Sequence, residues 1–283
     1  MKCLRFSLLM ALALLVFSCG GAKKSDDKKA ITIGYVDGWA EGVAMTNITK
    51  VILEQNGYAV ETQKAAVDLI FASMSNGDTD VFMDTWLPVT HGTKVAKFEG
   101  KIESIGQPFS NAKIGLVVPS YVTINSIEEL NANADKFNGQ IIGIERGAGI
   151  TTKTDLAVEQ YNLVLEQMNS SGIAMLSELK KAIDANKWVV VTGWIPHWKF
   201  GRYDLKFLDD PKGVYGEAER IETYARKGFK EEDPFAAKYF ANFKLDDAQM
   251  GKVLMFLNDF ADKEEGAKKW VAQNQDLVNS WIQ

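Results

Sequence analysis

Cysteine is nearly absent from this 283-residue chain, which has only Cys3 and Cys19. Cys3 lies in a segment that reads as removable, so the remainder can form neither an internal disulfide nor a cysteine cluster for zinc. Histidine is as scarce, with only His91 and His197. Their separation matches no zinc-ligand pair, and neither stands in a nucleophile motif. Nothing in the chain therefore points to an enzyme, a metal or a cofactor. A basic excess is also missing: 32 Lys and Arg face 37 Asp and Glu, a net charge of -5. A nucleic-acid binder needs a basic face to displace counterions, so that class is excluded. The longest uncharged apolar run, Leu8 to Phe17, is too short to cross a bilayer. A hydrophobic fraction of 46% and a charged fraction of 24% exclude disorder and fibrous repeats.

The amino terminus carries Lys2 and Arg5, then the apolar run, then Val16-Phe17-Ser18-Cys19-Gly20. A basic start and a short apolar core are the pattern of a secretory signal. A small residue before a cysteine at the end of such a core resembles the bacterial lipobox. That resemblance implies cleavage before Cys19 and diacylation of its thiol, and two acyl chains anchor firmly where one does not. Losing Lys2 and Arg5 from the 32 basic residues leaves 30 against 37 acidic ones. Gly20 to Lys29 is polar and lysine-rich and reads as a flexible tether. The expectation is a signal peptide over 1–18, a lipidated tether over 19–29, and an exported lipoprotein held on the extracytoplasmic side of a membrane.

The rest alternates strand and helix patterns. Ile31 to Val36 and Tyr58 to Gln63 read as strands. Between them, Met45, Ile48, Val51 and Ile52 recur at helical spacing up to Gly57. A helix over 65–75 and a buried strand at Val81 to Met83 complete a βαβαβ unit, which implies a parallel sheet. The rhythm repeats, with strands at Ile114 to Val118, Gln140 to Ile144, Leu163 to Glu166 and Trp188 to Thr192. Helices are expected from Ser126, over 152–161 and over 174–185. After Asp209-Asp210-Pro211-Lys212-Gly213 come one more strand, Arg220 to Ala225, and helices over 235–243, 246–260 and 264–281. Two α/β units with a helical tail predict two lobes: 30–113 plus 208–283, and 114–207, with the tail packed back on the first.

Seven tryptophans are the compositional excess. Trp39, Trp86 and Trp194 each sit just past the carboxyl end of a predicted strand, beside Gly or Pro. In open α/β sheets that edge is where ligands bind. Trp188 fits a strand, Trp270 and Trp281 fit helix cores, and Trp198 fits either role. Converging indole faces suit a quaternary ammonium, whose diffuse charge needs no hydrogen-bond acceptors. They also suit sugars, so a sugar-binding lipoprotein is the competing class.

Long stretches carry a resemblance. They are Gly38-Trp39-Ala40-Glu41-Gly42-Val43-Ala44-Met45, Asp84-Thr85-Trp86-Leu87-Pro88-Val89-Thr90-His91, Gly143-Ile144-Glu145-Arg146-Gly147-Ala148-Gly149-Ile150, Thr192-Gly193-Trp194-Ile195-Pro196-His197-Trp198, and Tyr203 through Gly213. Over almost the whole mature chain these resemble the glycine betaine-binding proteins of bacterial ABC importers. The resemblance implies a two-lobed periplasmic-binding-protein clamshell of type II-like α/β architecture, with ligand in the inter-lobe cleft. It implies a trimethylammonium cage on Trp39, Trp86 and Trp194, and permease and ATPase partners. Choline, carnitine and proline betaine are the alternative ligands. The backbone N–H groups of Gly147, Ala148, Gly149 and Ile150, opening a helix, are a candidate carboxylate seat. Glu41 is either an acceptor for a ligand hydroxyl or a helix amino-terminal carboxylate. His197 is expected to bond a ligand or position a loop. Arg146 departs from the resemblance, where Pro or a small residue is usual, and is expected to face solvent.

Overall fold

A computed structural model describes residues 28–283; the leader over 1–18, the lipidation site Cys19 and most of the tether lie outside the described residues. The first unit runs β1 (Lys29–Tyr35), α1 (Ala40–Gln55), β2 (Tyr58–Lys64), α2 (Val67–Asn76) and β3 (Val81–Leu87). Ile31 and Ile33 alternate into the core from β1, and α1 buries Met45, Ile48 and Ile52. Gly77 ends α2 in the left-handed region, at φ 87°, where a side chain would be strained. Both β2 and β3 pair with β1 in parallel.

Next come α3 (Gly92–Lys97) and an 18-residue strand, β4 (Ile102–Pro119). Only Ile114 to Val118 of it was expected. The earlier half contains Gly106, Pro108 and Asn111, all poor strand formers. The strand accommodates them with three register shifts against its partner. At Ser126 the anticipated helix does not propagate. The capping box is present, with Ser126 and Glu129 exchanging bonds. Asn133 then donates to the Glu129 carbonyl oxygen, Asn131 is held by the backbone of Asn162 and Val164, and only 3₁₀ turns form.

The second unit runs β5 (Gln140–Ile142), α4 (Gly149–Gln160), β6 (Glu166–Met168), α5 (Gly172–Asp184), β7 (Val191–Ile195), α6 (Lys199–Arg202) and β8 (Leu205–Phe207). The chain returns through β9 (Glu219–Arg226). It ends in α7 (Phe229–Glu232), α8 (Pro234–Asn242), α9 (Asp247–Asn258), α10 (Lys263–Gln273) and α11 (Gln275–Ile282). The helix expected over 264–281 is thus two, broken at Asn274.

Sheet order is β2-β1-β3-β9-β4-β7-β5-β6, with β8 also on β4. β9 sits between β3 and β4 and is antiparallel to both. β4 changes partner along its length: it pairs with β9 as far as Ala112 and with β7 from Lys113. The chain therefore passes between the two halves of the sheet twice, along β4 and between β8 and β9. The tail returns to the first half, with α9 and α10 against α1, α8 against β4 and α11 against α8. Trp281 is buried on Phe243, with ring centroids 4.4 Å apart, and Trp270 stacks beside it. Among the described residues no helix is long and apolar enough to cross a membrane.

Candidate functional site

Trp39, Trp86 and Trp194 line one tight cavity, with about 30 Å³ of room for the centre of a water-sized sphere. Trp39 precedes the first turn of α1, in the loop that leaves β1. Trp86 and Trp194 stand inside β3 and β7 rather than beyond them, because both strands extend further than their apolar runs suggested. β7 also begins later, at Val191, which leaves Trp188 outside any strand, against Phe137. Each of the two strand tryptophans is followed by a cis prolyl bond, Leu87-Pro88 or Ile195-Pro196.

All three indole N–H groups donate to carboxylates. Trp39 Nε1 bonds Glu145 Oε1 at 2.7 Å, Trp86 Nε1 bonds Asp84 Oδ1 at 2.7 Å, and Trp194 Nε1 bonds Glu41 Oε2 at 2.9 Å. A buried indole needs an acceptor, and here each acceptor also fixes its ring. A carboxylate at the ring edge further enriches the π face that a cation meets. Asp84 and Trp86 share one face of β3 because side chains two apart on a strand do. The other two bonds join distant segments: Trp39 in the first unit to Glu145 in the second, and Trp194 in the second to Glu41 in the first.

The carboxylates behind the cage are not ordinary ones. Burial pushes Glu41 up to about 7, opposed by its bond from Trp194 and by nearby Lys199. Burial and then the charge of Glu41 raise Asp84 well above the usual range. Glu41 is thus a first-turn carboxylate of α1 and at the same time the anchor of Trp194.

Glu41, Thr90, His91, Ile114, Ile144, Ala148, Gly149 and Ile150 complete the lining. Gly147 turns the chain at φ 92° and is not part of the lining. Gly149 must lack a side chain, since a Cβ there would meet the Thr90 carbonyl oxygen at 2.4 Å. Thr90 is held by Glu219, which accepts from both its N–H and its hydroxyl. Gly149 and Ile150 open α4, where backbone N–H groups have no intrahelical partner. Arg146 is exposed.

His91 fits neither a zinc-ligand pair nor a nucleophile motif in the sequence, and it belongs to the cavity wall. Its Nδ1 accepts the Trp86 backbone N–H at 3.0 Å, so the ring proton is on Nε2. That Nε2–H is buried without a partner, and the ring stacks on Trp39. Burial and Lys94 push His91 down to about 3, which keeps it neutral. His197 does not line the cavity. It packs edge-on behind Trp194, with centroids 5.0 Å apart, and its Nδ1 accepts the Lys199 N–H. Of the two roles expected for His197, bonding a ligand or positioning a loop, its bond from the Lys199 N–H fits the second. Of the residues sequence reasoning missed, Thr90, His91, Ile114 and Ile144 line the space, while Asp84 and Glu145 orient the rings.

Both imidazoles should therefore remain neutral Nε2–H tautomers. Long-range ¹⁵N–¹H correlation spectra are expected to show neither ring titrating between about pH 5 and 8, against an ordinary value near 6.5. Titration of His91 in that range would contradict its burial.

Comparison with known proteins agrees with this geometry. Residues 29–273 match the family described as the substrate binding domain of ABC-type glycine betaine transport system. The glycine betaine/carnitine transport binding protein GbuC of Listeria monocytogenes is 46% identical over 150 residues, 52% of this chain and 50% of that protein. The match thus spans half the length of this curated relative. The crystal structure of ProX from Borrelia burgdorferi superposes with TM-score 0.86 at 33% identity, covering 90% of this chain and 97% of that one. Lactococcal OpuAC, closed on glycine betaine, gives 0.84 at 35% identity, covering 90% and 100%. A choline binding protein in complex with choline gives 0.81 at 26%, covering 89% and 91%. With a periplasmic-binding-protein fold and a tryptophan-lined cavity between its two units, the chain belongs to the family of substrate-binding domains of ABC-type glycine betaine transport systems.

Proposed function

We propose that this protein captures glycine betaine outside the cytoplasm and delivers it to an ABC permease. The observation that carries this reading is the pairing of three carboxylate-anchored indoles with unpartnered donors in the lining of the same cavity. The indoles suit a cation with no N–H to satisfy. The His91 Nε2–H and the first N–H groups of α4 suit a carboxylate. Three desolvated cation–π contacts contribute roughly 6 kcal/mol, at about 2 each. Micromolar binding needs about 8, and the carboxylate bonds supply the difference. Choline lacks the carboxylate and would leave the His91 donor buried and unmet, at about 1–3 kcal/mol. Carnitine is the second reading, because the Listeria relative is named for it as well.

Trp86→Ala and Trp194→Ala are each expected to weaken betaine binding by about 2 kcal/mol, near thirtyfold, in calorimetric titration. Affinity should climb from glycine to dimethylglycine to betaine, since an NH₃⁺ loses water that indole faces cannot replace. Equal affinity for glycine and betaine would make this an ordinary amino-acid site.

The lobes of this reading are 30–113 plus 208–283, and 114–207, closing on the ligand. Two close approaches support the closed arrangement. Thr90 lies against Gly149, and a Cβ on Gly172 would meet the Gly38 carbonyl oxygen at 2.9 Å. Gly149→Ala should hold the cleft ajar. Small-angle scattering is expected to show betaine-induced compaction in the wild type and less in the variant, with affinity lowered at least tenfold. Full compaction in the variant would remove Gly149 from the closure.

Anchoring rests on Cys19, the one cysteine after the leader. Cys19→Ala should release the protein into the soluble fraction, and a variant that still sediments with membranes would sink the lipobox reading.

A further inference from the structure

Lysine is rarely enclosed without an acceptor, and Lys199 is. It is wholly buried, and its Nζ has no hydrogen-bond partner among the described residues. The ammonium lies 4.0 Å over the ring of Trp194 and 5.3 Å from that of Phe200. Lys199 does not line the cavity, whereas Trp194 does. A cage indole therefore already carries a cation from the protein itself.

Few groups can answer that charge. From α1, Glu41 is the carboxylate that acts on it. From β3, Asp84 lies beyond Glu41 and interacts with it. From the turn before α6, His197 is no acceptor, since its Nδ1 is occupied by the Lys199 N–H and its Nε2 carries the proton. β4 presents Val117 across Gly193, and α9 presents Met255 to Gly201. The titrating unit is thus Lys199 with Glu41, and Asp84 behind them.

We propose that Lys199 is a specificity-setting residue whose ammonium serves as the internal counter-cation of the cage, so that a quaternary ammonium entering the cavity displaces a proton from the Lys199–Glu41 pair. The inference rests on the cationic-ligand reading above. It follows from charge alone. A second, permanent cation arriving against Trp194 can take over the compensation of Glu41, and it repels the first. Lys199 relieves the repulsion by giving its proton to the buffer, as R–NH₃⁺ to R–NH₂ plus H⁺. The ammonium of a permanent cation has no such option. Burial supports a poised pair, pushing Lys199 down to about 7 while Glu41 rises to about 7. Such a pair titrates as a unit.

The sign is fixed by linkage. Proton release on binding means affinity rises with pH wherever the free protein still holds the proton. One proton released gives about tenfold per pH unit, and partial release gives less. The rise should be centred near pH 7 and level off above about pH 8, where the free pair has already lost its proton.

The test is calorimetry on the whole protein with glycine betaine. Titrations at pH 7 in phosphate, HEPES and Tris, whose ionisation heats differ, count the protons directly. The expected result is a fraction of a proton up to one released per ligand. Affinity should increase about threefold to tenfold from pH 6.5 to 7.5. Lys199→Met with Glu41→Gln makes the pair neutral, fills the same volume and keeps an acceptor for Trp194. This double variant should bind with a flat pH profile and no buffer dependence. Binding by the wild type with buffer-independent heat overturns the coupling alone. Proton release that persists in the double variant moves it to Asp84 and overturns the assignment to Lys199. If no quaternary amine binds at any pH, the ligand reading falls and the coupling with it.

Discussion

A tryptophan is useful as a receptor for charge only if its face is held open and its N–H is answered elsewhere. In this protein that condition is met three times by the same device, an indole N–H donating to a carboxylate. The rest of the site is arranged around it. Glu41 and Asp84 are buried where they reach their indoles, and burial pushes both toward the neutral form unless positive charge is near. Lys199 behind one ring, and a cationic ligand in front of it, are two ways of meeting that demand. Two of the three bonds also run between the units, so the rings are oriented from across the cavity.

The rest of the lining follows another logic. His91 is kept neutral by burial and fixed in one tautomer by the Trp86 backbone. The start of α4 supplies N–H groups with no intrahelical partner. A neutral donor set suits a carboxylate that remains paired with its own ammonium, because a full positive charge there would also attract simple anions. The binding space is thus lined by electron-rich indole faces and by neutral donors together.

Much of this was legible in order of residues. The tryptophans stood out because each follows a short β-branched or apolar run and adjoins Gly or Pro, which marks a sheet edge. The helix-opening loop at Gly147–Ile150 was visible from its glycines. What stayed hidden depended on contacts far apart in the chain. Glu145 reaches Trp39 across 106 positions, and Glu41 reaches Trp194 across 153. Lys199 looks like surface in any one-dimensional reading, since nothing local announces that α6 turns inward. His91 was passed over because its role depends on a backbone N–H, which leaves no mark on composition. The first half of β4 was missed because Gly, Pro and Asn break the alternation that a strand usually shows, and register shifts absorb them.

The position of β9 has a consequence for how the chain is made. β9 lies between β3 and β4, so the central seam of the first unit stays vacant until residue 226 has been synthesised. The helix that covers α1, α10, arrives later still, at residues 263–273. The second unit, by contrast, is one continuous stretch whose ends meet where β8 pairs with β4. During translation it can therefore close first, while the unit that precedes it must wait for the carboxyl terminus. A protein wired in this way reaches its finished state last at the end that was made first.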